Sequence, residues 1–260
     1  IGADCVSSLE IAYGANGRFA YTCVRFRKAV EQGAVSIEDY TNYQMNLRFL
    51  AGAMGVPFLP CRSALGTDIV NKWGFSQQAR AKDPKLPDEK LEVIDNPFGE
   101  WSETSKVVLL PAINPDVTFI HVQKADAQGT GKIMGLSFGD VEQAKASKHL
   151  VVTCEDLVDT EDMRRHPEQN QIPGIYVDAV VHVPHGAFPT ACNRYYDYDP
   201  TYLFEYLKDA RDDEAYARNR QRYVYGLSSH KGLLELVGDE RLATIQADPD
   251  RGYARNLKRV

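Results

Sequence analysis

The sequence predicts an α/β protein: an open, mostly parallel sheet flanked by helices, with a helical C-terminal region. Three observations carry this expectation. Apolar, β-branched runs of strand length recur along the chain. The segments between them show helical periodicity or turn residues. From Pro200 onward, Tyr202, Leu203, Tyr206 and Leu207 share one apolar helical face.

Taken in order, Val6 to Tyr13 is expected to be a strand ending at the Gly14-Ala15-Asn16-Gly17 turn. Arg25 to Gln32 reads as a short helix closed by Gly33. Ser36 is the expected N-cap of the next helix, with Asp39 in the place of the capping-box acid. That helix carries Tyr43, Leu47, Leu50, Ala51 and Met54 at helical spacing and stops at Gly55, ahead of Pro57. Lys82 to Glu103, rich in Pro, Asp, Glu and Lys, reads as a surface excursion. Lys106 to Ala112 and Val117 to Gln123 are strands, and the turn at Ala125 to Gly131 leads to a short strand over Lys132 to Leu136. Gly139 to Lys148 is helical. Leu150 to Cys154 and Tyr176 to Val183 have the nearly continuous apolar character of parallel strands buried on both faces.

Composition narrows the function classes. The 260 residues suit one domain over 1–260, 43% of them are hydrophobic, and the net charge is -6. A phosphate reader shows a basic stripe, so no nucleic-acid partner is expected. No window approaches the roughly 20 apolar residues of a membrane span, so no membrane partner is expected either. Five scattered cysteines (Cys5, Cys23, Cys61, Cys154 and Cys192) form no CxxC pair. They read as reduced thiols in a cytoplasm, with no disulfide frame and no metal site. GxGxxG and GxxxxGK[ST] are both missing, so neither a nicotinamide nor a nucleoside-triphosphate enzyme is supported.

Ligands of open α/β sheets bind beyond the carboxyl ends of the strands. That rule selects the loops Gly14 to Phe19, Pro57 to Asp68, Gln123 to Gly131 and Pro184 to Cys192. In the second, Arg62 follows the rigid Pro57-Phe58-Leu59-Pro60 turn, preorganised to fork a carboxylate or phosphate. Cys61 beside it is either a low-pKa nucleophile or a packed thiol, and packing is favoured because no base is placed for it. His121, inside an apolar run, reads as a core histidine rather than a catalytic one, while His185 lies in an exposed turn open to either role. Glu155-Asp156 and Asp159-Glu161-Asp162 read as acids that cap and complement a helix starting near Asp159.

An ordered set of stretches resembles the alpha-type subunits of family I CoA-transferases, those of the glutaconate type most closely. It comprises Phe26-Arg27-Lys28 with Ile37-Glu38-Asp39-Tyr40, Pro57-Phe58-Leu59-Pro60, Ile94-Asp95-Asn96-Pro97-Phe98, and Pro115-Asp116-Val117 with Ile120-His121-Val122-Gln123. Then follow Ala125-Asp126-Ala127-Gln128-Gly129, Val152-Thr153-Cys154-Glu155, Ile172-Pro173-Gly174 with Val177-Asp178-Ala179-Val180-Val181, and Tyr196-Asp197-Tyr198-Asp199. The resemblance implies a fold shared with sugar-phosphate isomerases and a two-subunit enzyme, a heterotetramer or larger. Coenzyme A is its substrate, and no cofactor is required.

The resemblance also implies a glutamate nucleophile that passes through an acyl anhydride to a glutamyl-CoA thioester. In two-chain members that glutamate belongs to the beta-type partner. No residue here is assigned as catalytic, since Glu31-Gln32-Gly33 ends a helix with no strand before it. The implied substrate-binding residues are Asn16, Gly17, Arg62, Ser63 and Gln123, with Gly17 where glutaconate enzymes carry a serine. The resemblance further implies a segment of about 60 residues ahead of Ile1, bearing a Gly-Gly-Phe loop, that this sequence does not contain. Sister branches of the fold open steroid-derived rings hydrolytically or decarboxylate CoA esters. The hydrolases carry an acid near the position of Asn42, an amide here, with Glu38 and Asp39 one turn earlier. A non-catalytic acyl-CoA-binding protein is the remaining alternative.

Overall fold

The computed structural model describes residues 1–17, 19–99, 104–255 and 257. Its elements are β1 (Ser8–Ile11), α1 (Val24–Glu31), β2 (Ser36–Asp39), α2 (Asn42–Met54), β3 (Phe58–Cys61), α3 (Asp68–Asn71) and α4 (Gln77–Lys82). They continue with β4 (Glu92–Asp95), β5 (Lys106–Pro111), β6 (Val117–Asp126), β7 (Gly131–Lys132), α5 (Asp140–Ala146), β8 (His149–Val158) and α6 (Thr160–Arg165). The last are β9 (Asn170–Ile172), β10 (Ala179–His182), α7 (Pro200–Asp209), α8 (Asp213–Arg220), α9 (His230–Val237) and α10 (Asp239–Ile245). Two compact units interleave along the chain. One takes Ile1–Ala15, Arg25–Asp116 and Phe138–Lys148, the other Asn16–Val24, Val117–Ser137 and His149–Val260.

In the first unit β1 and β2 pair in parallel, while β3–β5–β4 form an antiparallel sheet. The inner face of that sheet supplies Cys61, Val108 and Leu110 to a core completed by Tyr40, Val70 and Leu91. Ser36 does not cap the helix: it sits on β2 opposite Ser8. The cap is Thr41, whose hydroxyl accepts from the Gln44 amide at 3.1 Å while Gln44 Oε1 accepts from the Thr41 amide at 3.0 Å. A glutamine three residues on can reach back to the cap; Asp39, one methylene shorter and already in a strand, cannot. Gly55 closes α2 in the left-handed region, at φ 70°.

The surface excursion expected over Lys82 to Glu103 is corrected in its middle, since Glu92–Asp95 pairs with β5 as β4 and Leu91 is buried. Residues 100–103 lie outside the described residues. Near this strand, charge is buried in pairs. Glu38 is fully buried and is met by Arg80, by Lys90 Nζ at 3.8 Å and by the Gly74 amide at 2.7 Å. Arg48 bonds Glu10 at 3.0 Å and stacks over the Tyr40 ring, 4.3 Å from its centroid. Glu38, weighed above as an acid on a helix, is therefore a strand residue committed to an ion-pair network.

The second unit holds a five-stranded sheet in the order β10–β8–β6–β7–β9, with β10, β8 and β6 mutually parallel. Ile120, Val122, Leu150, Val152 and Cys154 bury one face. The opposite face is not buried as expected: Phe119 is 71% exposed and Val181 44%. Their β-branched and aromatic character reflects strand preference rather than burial on both sides. β7 is shorter than expected, because Gly135, at φ 118°, turns the chain away. The helical C-terminal region is present, and Asp199 caps α7 through the Tyr202 amide, held by Arg241 at 2.6 Å.

Candidate functional site

Arg62 and Ser63 leave the end of β3 as an exposed loop pinned to the N-terminus of α2. Ser63 Oγ lies 2.8 Å from Thr41 Oγ1, and the Ser63 carbonyl accepts from Gln44 Nε2 at 3.0 Å. The capping box that starts the helix thus also fixes the loop. Ala64, at φ 67°, turns the chain immediately afterwards. A cavity of about 1000 Å3 opens beside the loop on the outer face of β3–β5–β4. Its floor is Phe58, Pro60, Ile94, Val107 and Leu109; its rim carries Tyr43, Asn96 and Phe98, with Arg62 and Ser63 at one side. Cys61 points the other way, into the core, and burial pushes its thiol above its ordinary pKa. A thiol held protonated is a poor nucleophile.

The second unit contains a constellation not assembled from sequence. Glu155, 4% exposed, accepts from Tyr196 Oη at 2.5 Å, from the His185 amide at 2.6 Å, and pairs with His121 Nε2 at 2.7 Å. His121 Nδ1 lies 2.8 Å from Thr153 Oγ1, and the His185 ring stacks on Tyr196 with centroids 4.7 Å apart. Burial opposes ionisation of Glu155, but the bonds from His121, Tyr196 and the His185 amide outweigh it and hold the carboxyl below its usual range. Burial lowers the pKa of His185 and raises that of Tyr196.

One oxygen of Glu155, one ring nitrogen of His121 and Cys192 Sγ lie within 4.8 Å of one another, a spacing that could hold a metal ion. The carboxylate oxygens already face three donors, and burial pushes the Cys192 thiol up to about 12. The group therefore reads as a closed hydrogen-bond network.

The selected residues fall in both units. Asn16 is exposed in a short bridge, its amide donating to the Ala20 carbonyl at 2.8 Å, and Gly17 turns there at φ 48°. Gln123 is buried on β6: its Nε2 donates to the carbonyls of Met134 and Asn193 at 3.3 Å, and its Oε1 accepts from the Met134 amide at 3.0 Å. Its amide is spent on backbone. Sequence reasoning treats His121 as a core residue and Glu155 as a helix-capping acid, and leaves His185 open; none of it joins the three. The missing signal is register: His121 lies opposite Thr153 across β6 and β8, two residues before Glu155.

Comparison with known proteins agrees with the fold. The Coenzyme A transferase family model matches residues 2–183. The alpha-type chain of the glutaconate CoA-transferase of Acidaminococcus fermentans is 38% identical over 253 residues, covering 97% of this chain and 78% of that one. The corresponding chain of the 3-oxoadipate CoA-transferase of Pseudomonas knackmussii is 31% identical over 230 residues, covering 87% and 73%. The crystal structure of glutaconate coenzyme A-transferase from A. fermentans superposes with a TM-score of 0.90 at 37% identity, over 96% of this chain and 78% of that one. With the family model matched over residues 2–183 and a relative 38% identical across 97% of the sequence, the chain belongs to the Coenzyme A transferase family.

Proposed function

We propose that this chain is the alpha-type component of a two-subunit CoA-transferase, paired with a beta-type partner. It would move CoA between an acyl-CoA and a carboxylic or dicarboxylic acid, glutaconate among the candidates, in the cytoplasm and within a heterotetramer or larger assembly. The observation that carries the reading is Arg62, beside Ser63, on a loop fixed to the α2 cap at the edge of the groove. The guanidinium is placed to fork the carboxylate that takes no part in the exchange. Ser63 positions the loop, and Asn16 with Gly17 forms an exposed turn in the other unit. Gln123 supports its own strand and the 134 and 193 backbone.

The nucleophile belongs to the partner. Its glutamate attacks the thioester, giving an acyl-glutamyl anhydride and CoA thiolate; the thiolate attacks the glutamyl carbonyl, releasing the first acid. A second carboxylate then opens the glutamyl-CoA thioester, and the same two steps run in reverse. Covalent catalysis of this kind replaces one hard exchange with two easier ones. No cofactor beyond coenzyme A, itself a substrate, is needed.

The test is Arg62→Ala in the co-expressed two-subunit enzyme. KM for the free acid is expected to rise about tenfold or more, the loss of roughly 1.5–3 kcal/mol of charge-assisted bonding, with the partner glutamate still trapped by acyl-CoA. Unchanged acid binding would remove Arg62 from the site.

A further inference from the structure

The groove beside Arg62 is larger and more apolar than a five-carbon diacid needs. The geometry points to a medium-chain α,ω-dicarboxylic acid as the acyl group, its remote carboxylate at Arg62 and its methylene body on the outer face of β3–β5–β4; this rests on the proposed CoA-transferase reading.

Alternation along the strands builds the surface. Phe58 and Pro60 lie outward on β3, opposite Pro111 and Leu109, and Ile94 on β4 faces Val107, while Val108, Leu110 and Cys61 point inward to the core. The outward residues are therefore free of the folding core and still apolar. A five-carbon diacid has nine non-hydrogen atoms and, at about 30 Å3 for each water-sized group, displaces less than about 300 Å3. The cavity is about 1000 Å3. Arg62 is the one charged residue among its described lining, and the other polar side chains, Tyr43, Ser63, Asn96 and Thr104, are neutral. Arg62 beside an apolar floor complements an anionic head on an apolar body. The pantetheine arm of CoA fits less well, since its two amides need partners that the floor of Phe58, Ile94, Val107 and Leu109 does not offer.

Each methylene added to a buried chain strengthens binding about fourfold. The experiment is equilibrium binding of pentanedioate, octanedioate and decanedioate to the two-subunit protein, run beside CoA-transfer assays with the same acids. The expected result is a Kd that falls about fourfold per methylene from five to eight carbons. Leu109→Asn, or Val107→Asn if that variant does not fold, is expected to flatten the slope. Arg62→Ala is expected to weaken all three acids while keeping the slope. A flat or rising Kd with length overturns the inference, as does a slope that Leu109→Asn and Val107→Asn leave intact; a groove filled by a protein partner would give the first result. CoA transfer to pentanedioate together with a flat slope leaves the transferase reading standing. Failure of transfer to every acid would sink that reading, while the binding slope still decides this one.

Discussion

Cys61 and Arg62 are adjacent in sequence, yet one side chain faces the core and the other the groove. Burial keeps Cys61 protonated, so Cys61→Ala should leave turnover close to that of the parent protein; a loss of about a thousandfold would assign the thiol a chemical role. Glu155 carries a pH signature. Its folded pKa is depressed, so the stability it contributes is complete above its ordinary 4.5 and drains away as pH falls from there through the depressed value. Thermal melts should therefore drop steeply below about pH 4.5, and Glu155→Gln should flatten that drop. The same variant should cost about 3 kcal/mol at pH 7, because the donors around it lose their anion. A melt indifferent to pH between 5 and 3 would contradict this. The loop at Arg62 was legible only in part: Phe58 to Cys61, read as part of a proline turn and loop, is strand β3, and the loop begins after it. The Glu155 network was not legible: the partners at 121, 153, 185 and 196 meet only through strand pairing and a distant loop.

At the scale of elements, the capping box of α2 does two jobs. Thr41→Ala should lower stability by about 1 kcal/mol through the lost cap, about 2–4 °C in Tm for a chain of this size. It should also raise KM for the acid, since Thr41 Oγ1 holds Ser63. Ser63→Ala should raise KM without the full loss of stability. Equal effects of the two substitutions on Tm would contradict the separation. Gly74 is required by close approach: a Cβ there would stand 1.5 Å from the Ile37 carbonyl oxygen. Gly74→Ala must push β2 aside and disturb the Glu38 bond, so little soluble protein is expected, read as yield and by circular dichroism. The helix end at Gly55 and strands over 106–112, 117–123 and 150–154 were legible because a helical period before glycine and apolar runs are local signals; the ends of β6 and β8, out to 126 and 158, were not. Ser36 and residues 92–95 were not. A strand such as β4, with Glu92, Val93 and Asp95 exposed, resembles a polar surface segment when read along the chain.

At the scale of the molecule, the fold and the family leave the nucleophile as the central question. The proposed function gives this chain a carboxylate-binding loop at Arg62 beside the groove and assigns the glutamate that forms the thioester to the partner. Composition and periodicity alone reach an α/β protein with an anion-binding loop, and the ordered set of stretches is what narrows it to CoA transfer. The decisive measurement is trapping. The chain is co-expressed with its partner, supplied with a dicarboxylyl-CoA and treated with borohydride, and the modified residue is mapped by mass spectrometry. Reduction of one glutamate in the partner, and of none in this chain, is the predicted result. Turnover with no reduced glutamate in either chain would contradict CoA transfer through a glutamyl thioester.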